Sequence, residues 1–508
     1  MLGSSMDRRV VRPPMTTPSL DLLVKSVRVV RPRQPGVERL DVGVKDGRFA
    51  RIAPDIPVGE AREVRDGRGL LGFPGVVDAH THVGIYAPLS GDAESESKAA
   101  AAGGVTAMLT YFRTGQYYLN RGGPYAEFYP EVLRLSDGHY WVDYGYHLAP
   151  IQQSHLGEME ALAVDHGVPS FKIFMFYGDY GLHGKADRGA QRGFLMLGED
   201  ERYDLAHFEF VLRGAAGVRE RHPRLADHVS VSLHCEIADI LNASPRIVQQ
   251  APSLTGLRAY SAARPPHSEG LGVWIASYLA HEAACRNVNL LHLSSRKALE
   301  AALLMRATLP HLDLRCEVTA GHLLLDYDTP AGPHAKVNPP IRSREDVEFL
   351  WRGVLEGKVD WVVSDHACCA TETKLDRNRP DDVWLAKAGF GGTEYLLPGV
   401  FSEGTRRGLA PGRVAELLSW NPARRFGIGG KGDIAPGYDA DLVLLDPDRS
   451  VTVRAADSPS AQGYTPFEGL TLRGQVMTTL LRGQVVYEHG KVAGPPRGRY
   501  LRRPTLGP

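Results

Sequence analysis

At 508 residues the chain is too long for one small domain and can bury a barrel-sized core with something appended. Lysine plus arginine and aspartate plus glutamate each total 59, so the net charge is zero, nothing in the bulk electrostatics points to nucleic acid, and a charged substrate has to be met by local groups. Five cysteines suit a reduced, cytoplasmic setting better than a disulfide framework, and no apolar run approaches the roughly 18 residues of a membrane helix.

In chain order, residues 1–19 carry basic residues without an apolar signal core and read as a flexible leader. Residues 20–72 alternate Val, Leu and Ile with Asp-Gly punctuation, which predicts short antiparallel strands joined by hairpins. Residues 430–495 repeat that pattern, and 496–508 form a C-terminal tail. The two β-rich flanks predict one small β-sandwich built from both chain ends; the alternative is two separate small units.

Between them, residues 73–429 alternate apolar β-rich runs with helical stretches, which predicts parallel βα units and an α/β fold. Candidate strands are 75–82, 105–111, 143–149, 170–176, 228–236, 288–295, 313–320 and 359–367. Eight such units fit a closed (β/α)8 TIM-like barrel. An open doubly wound sheet fits less well, because no Gly-rich phosphate fingerprint follows the first strand.

The polar residues fall at the strand ends. His80 and His82 are two apart at the end of the first strand, so both imidazoles face one side. Lys172 lies inside the apolar run SFKIFMF, where a bare ammonium would be costly. His234, His292 and Asp365 end later strands. Each alone is weak, since a strand histidine is more often a satisfied core residue than a ligand. Their coincidence on the C-terminal rim, where barrel active sites form, points to a metal site.

The segments GFPGVVDAHTHVG, SFKIFMFYG, LHCE, RPPHSEG, LLHLSS, KVNPPIRS, VVSDHA and YTPFEG resemble the hydantoinase, dihydropyrimidinase, allantoinase and dihydroorotase branch of the amidohydrolase superfamily, in the family's order from about residue 20 to 490. The resemblance implies a cyclic amidase with two divalent metal ions, usually zinc, acting on a small-molecule cyclic amide. It implies His80 and His82 on the buried metal, His234 and His292 on the outer one, N6-carboxylated Lys172 bridging both, and Asp365 on the buried metal. Attack by a bridging hydroxide would then open the ring, with Asp365 as general base and then general acid. Tyr177, five residues after Lys172, stands where hydantoinases carry an oxyanion-binding tyrosine. Asn338 stands where the substrate ring meets a loop. Many relatives are homodimers or homotetramers.

The sequence also departs from its relatives. Gly84 occupies the position where dihydroorotases place a carboxylate-clamping arginine, which sets that activity behind hydantoinase and dihydropyrimidinase, with allantoinase as an alternative. Cys368 and Cys369 follow the SDHA motif and read as ordinary loop residues. Ala320, Gly321 and His322 alter a substrate-side loop, and residues 183–204 read as an added lid or pocket wall. A non-catalytic relative of the collapsin-response type is the alternative of another class; it keeps the fold without metal.

Overall fold

The computed structural model describes residues 18–177, 190–251, 253–505 and 507–508, so the leader expected over 1–19 lies almost wholly outside the described residues. Five strands open the described chain: β1 (Leu20–Val30), β2 (Val37–Lys45), β3 (Arg48–Ala53), β4 (Ala61–Asp66) and β5 (Leu71–Pro74). Four close it: β14 (Leu442–Thr452), β15 (Thr471–Leu481), β16 (Gln484–Glu488) and β17 (Lys491–Val492). They form one nine-stranded mixed sheet, because β5 runs parallel to β1 on one side and antiparallel to β14 on the other. The chain ends thus share a core, in which Leu22, Val24, Val42 and Phe49 meet Leu442, Leu444 and Leu480.

The other eight strands make a parallel barrel: β6 (Val76–Thr81), β7 (Val105–Phe112), β8 (Asp143–Leu148), β9 (Ser170–Phe174), β10 (Ser230–His234), β11 (Asn287–Leu290), β12 (Asp313–Thr319) and β13 (Trp361–Val363). They pair in sequence order, and a parallel bridge between Thr81 and His366 draws the last strand's end to the first. Apart from the first half of β12 the barrel strands are buried on both faces, as parallel strands covered by crossover helices must be.

Trp361 and Phe426, with ring centroids 5.6 Å apart, help fill the N-terminal end of the barrel. The terminal stretch seals it further: Leu501 N donates to Tyr144 O at 2.7 Å, Arg503 N to Gly167 O at 2.9 Å and Thr505 N to Gly427 O at 2.8 Å. Above this plug lies a buried polar layer in which the Tyr111 hydroxyl donates to Ser232 at 2.9 Å and Asn289 Nδ2 donates to Ser232 at 2.9 Å. The open end is therefore the C-terminal one, where the candidate residues stand.

Candidate metal centre

β6 ends by presenting His80 inward, and its neighbours settle the tautomer. Glu317, buried in β12, accepts from His80 Nδ1 at 2.7 Å, from Trp361 Nε1 at 2.9 Å and from His292 N at 3.2 Å. That leaves the His80 Nε2 lone pair facing Lys172 Nζ at 3.1 Å and Asp365 Oδ1 at 3.1 Å. His82 Nε2 stands 3.3 Å from the same Asp365 oxygen, and its Nδ1 lies 3.2 Å from the Tyr118 hydroxyl. A lone pair and a carboxylate oxygen brought this close repel unless a cation lies between them. Donor atoms of His80, His82 and Asp365 all fall within 4.8 Å of one another, as ligands of one ion must.

The second pair of histidines adjoins the first, with His80 and His292 rings 5.4 Å apart and His234 and His292 rings 4.3 Å apart. Glu236 meets His234 Nε2 at 2.6 Å, so its other nitrogen keeps a lone pair. His292 Nδ1 is buried with no hydrogen-bond partner, which an ordinary core histidine would not leave. The structure therefore brings His80, His82, Lys172, His234, His292 and Asp365 to one rim, and the neutral imidazole nitrogens and the anionic Asp365 oxygens fit divalent cations.

Electrostatics point the same way. Burial and the adjacent Lys172 hold His80 far below the ordinary histidine range; burial does the same for His292 and lowers His234 to about 4. Neutral imidazole is the ligand form. Burial lowers Lys172 to about 8 against the pull of Asp365 and Glu317, with its ammonium end 4.1 Å above the Tyr111 ring and 4.6 Å above Phe174. Burial alone would raise Asp365, but His80, His82 and Lys172 outweigh it and hold the carboxylate well below its usual range.

The backbone carries strain where these groups sit. His292 has φ 34° and Asp365 φ 55°, left-handed values that cost about 1–3 kcal/mol each at non-glycine residues. The Asp365 turn is pinned from several sides. Ser364 N donates to Asp78 Oδ1 at 3.1 Å, Thr393 Oγ1 donates to Asp78 Oδ2 at 2.7 Å, and His366 Nδ1 accepts from Gly392 N at 3.0 Å.

Tyr177 and Asn338 both line the same pocket. Tyr177 ends a short 3-10 turn after β9 and stacks on Phe174 at 4.6 Å between ring centroids. Asn338 Oδ1 accepts from the Tyr260 hydroxyl at 2.5 Å. Of the added segment 183–204, residues 183–189 lie outside the described residues. Of the remainder, Phe194 packs edge-on against Tyr177 at 5.4 Å, and the Tyr203 hydroxyl accepts from Phe174 N at 3.0 Å, so it lies behind two residues of the pocket.

The departures noted in the sequence have local causes. Gly84 has φ 86°, its N–H donates to Asp92 at 2.6 Å, and a Cβ there would lie 2.8 Å from Leu89 Cδ1, so an arginine does not fit. His322 lies within a short helix (Ala320–Leu324) and its Nε2 reaches Pro339 O at 3.1 Å, tying that helix to the Asn338 loop. Cys369 is buried, as is Cys368, which joins Asp92 and Glu96 in a group of possible donors. Glu96, however, already accepts from Ser95, Ser460 and Ala461 and pairs with His366 at 2.9 Å, so that group reads as a polar support for the Asp365 turn. Sequence reasoning passed over Glu317, Glu236 and Tyr118. Only Glu317 carried a signal, as a carboxylate inside an apolar strand.

Residues 304–486 match the Amidohydrolase family. An allantoinase of Rubrobacter xylanophilus is 36% identical over 490 residues, covering 95% of this chain and 98% of that protein. An allantoinase of Salmonella newport is 29% identical over 496 residues, covering 95% and 99%. Among solved structures, the L-hydantoinase (dihydropyrimidinase) of Arthrobacter aurescens superposes with TM-score 0.81 at 28% identity, covering 95% and 99%. The dihydropyrimidinase of Brevibacillus agri gives 0.80 at 25%, covering 96% and 99%.

Proposed function

The chain belongs to the amidohydrolase superfamily, in its cyclic-amidase branch, and on that premise we propose that it hydrolyses a ring amide bond of a hydantoin-type or dihydropyrimidine-type substrate in a metal-dependent reaction. The observation that carries this reading is the meeting of His80, His82, Lys172 and Asp365 within hydrogen-bond distance at the C-terminal end of the barrel. His80, His82 and Asp365 would hold one divalent ion, His234 and His292 a second, and Lys172 as a carbamate would bridge them, with zinc as the metal suited to these donors. When bound, the pair supplies Lewis acidity and brings the ionisation of water close to neutral pH.

The chain's own groups do the rest. Burial leaves a fraction of Lys172 as free amine near neutral pH, which is the form that adds carbon dioxide. Asp365, kept ionised, accepts the proton of the attacking water and returns it to the ring nitrogen as the C–N bond breaks. The Tyr177 hydroxyl donates to the carbonyl oxygen as it gains charge, and burial keeps this phenol protonated. Asn338 holds the ring amide from the opposite loop.

Allantoin, a hydantoin bearing a ureido group, is the second reading, favoured by the 36% identity to an allantoinase. Metal-replete enzyme assayed against allantoin, 5-substituted hydantoins and dihydropyrimidines separates the two. Ring opening of none of them, with two metals bound per chain, would refute the proposal; a preparation that binds no metal would favour a non-catalytic scaffold.

Leu271, Trp274 and Tyr278 are 45%, 48% and 59% exposed at helical spacing on the helix Pro266–Glu282, which supports a homodimer or homotetramer through that face. Trp274→Glu should lower the sedimentation mass; an unchanged mass removes that face as the contact. All five cysteines are free and buried, which supports a reducing, cytoplasmic setting, and among the described residues no helix is long and apolar enough to cross a membrane.

A further inference from the structure

Arg113 directly follows β7 and is wholly buried. Its Nη1 donates to Thr114 O at 2.7 Å, whereas Nε and Nη2 have no hydrogen-bond partner. Among the described residues no carboxylate pairs with it. The guanidinium carbon lies 4.3 Å from the centre of the Phe194 ring, 4.7 Å from that of Tyr118 and 5.3 Å from that of Tyr177. A cation without an anion is thus enclosed by aromatic faces. Two of those rings, Tyr118 and Tyr177, line the substrate pocket, and Tyr118 also meets His82 Nδ1 at 3.2 Å.

We propose that Arg113 is a positioning residue for ring opening: seated against the Tyr177 and Tyr118 rings behind the pocket wall, it fixes both phenols and makes the Tyr177 hydroxyl a stronger donor to the carbonyl oxygen. This rests on the reading of Tyr177 given above. A buried guanidinium left short of acceptors is costly, and a merely structural role would be filled better by an apolar side chain. The planar, delocalised cation is also the one suited to lie flat against aromatic rings, which an ammonium does less well. Burial pushes the Tyr177 phenol up, and the Arg113 guanidinium works against that shift, which is the direction that strengthens an O–H donor. The positive charge has little to stabilise while the carbonyl is neutral. It gains its effect as negative charge builds on the oxygen, so the consequence falls on kcat.

A double-mutant cycle on the metal-loaded enzyme tests this. Arg113→Gln should lower kcat by about 10–100-fold with KM within about threefold and two metals still bound. Arg113→Lys should regain part of that loss. In the Tyr177→Phe background, Arg113→Gln should cost no more than about a further twofold, because its effect passes through the hydroxyl already removed. If the two losses multiply, or if Arg113→Gln alters only stability or KM, the inference is overturned while the role of Tyr177 stands. If Tyr177→Phe leaves kcat unchanged, the reading of Tyr177 falls and the inference with it. Should Arg113→Gln fail to fold, Arg113→Lys alone carries the cycle with the same criteria.

Discussion

At the seam between the mixed sheet and the barrel, Lys431 Nζ lies 2.5 Å from Asp441, 2.8 Å from Asp143 and 3.4 Å from Asp439, and Arg482 adds a second cation on Asp143 at 2.6 Å. At the pocket, buried polar atoms are left over: His292 Nδ1 and two nitrogens of Arg113 have no partner, and His80 and Asp365 turn lone pairs toward each other. Strained backbone is shared more evenly, since Arg482 also has positive φ, but in a hairpin turn where that conformation is ordinary. One region buries charge and closes its account internally; the other buries polar and charged groups without pairing all of them. Stability and function are thereby separated in space.

The sharpest way to break that contrast is Lys172→Ala. Removing a buried amine that stands beside unsatisfied groups should leave the unfolding free energy unchanged or higher. Activity should fall by about 10³-fold or more, about 4 kcal/mol of transition-state stabilisation. Full activity in this variant would remove Lys172 from the site, and a large loss of stability would make the pocket a structural region like the seam. Urea denaturation beside kcat/KM reads both quantities.

The converse substitution is Lys431→Met, which strips the cation from three carboxylates. It should cost about 3–5 kcal/mol of stability, as breaking a buried ion cluster does. The folded, metal-loaded fraction should keep kcat within about twofold. A drop in kcat without destabilisation would mean that the seam reaches the pocket.

The two regions also differ in how far the sequence reveals them. The pocket residues stand at the ends of apolar runs, where a His, Lys or Asp breaks the hydrophobic pattern visibly, as at His80, Lys172 and Asp365. All eight barrel strands were legible for the same reason. Lys431 gives no such signal: it lies in GGKGDIAPGYDADL, a polar loop in which a lysine is ordinarily solvated, and only the sheet closing over the barrel buries it. Arg113 is intermediate, since residue type and position after a strand cannot tell a rim arginine from one enclosed by Tyr118, Tyr177 and Phe194. Glu236 is hidden too, because a carboxylate two residues beyond a strand histidine looks like a loop residue until Arg264 is folded against it.

The smallest expected effect concerns pH. Burial alone would lower Lys431, but Asp143, Asp441 and Asp439 outweigh it and raise its pKa above the ordinary 10.5. Asp143 is held below its ordinary 3.8 by Lys431 and Arg482 in spite of burial. A cation raised in the folded state contributes stability that is complete below its unfolded pKa and is lost as pH climbs through the folded one; a depressed carboxylate contributes above its unfolded pKa and loses it as pH falls. The seam's contribution is therefore flat between the two limits. Asp441, pushed up by burial, works against Asp143 on the acid side, so the alkaline side gives the cleaner reading. The stability difference between the parent chain and Lys431→Met should stay constant from about pH 6 to about pH 10 and narrow only above about 10.5, by about 1.4 kcal/mol for each further pH unit until the folded pKa is reached. Narrowing already between pH 6 and 9 would reveal a seam group that titrates there, which a set of mutually satisfied ions does not contain.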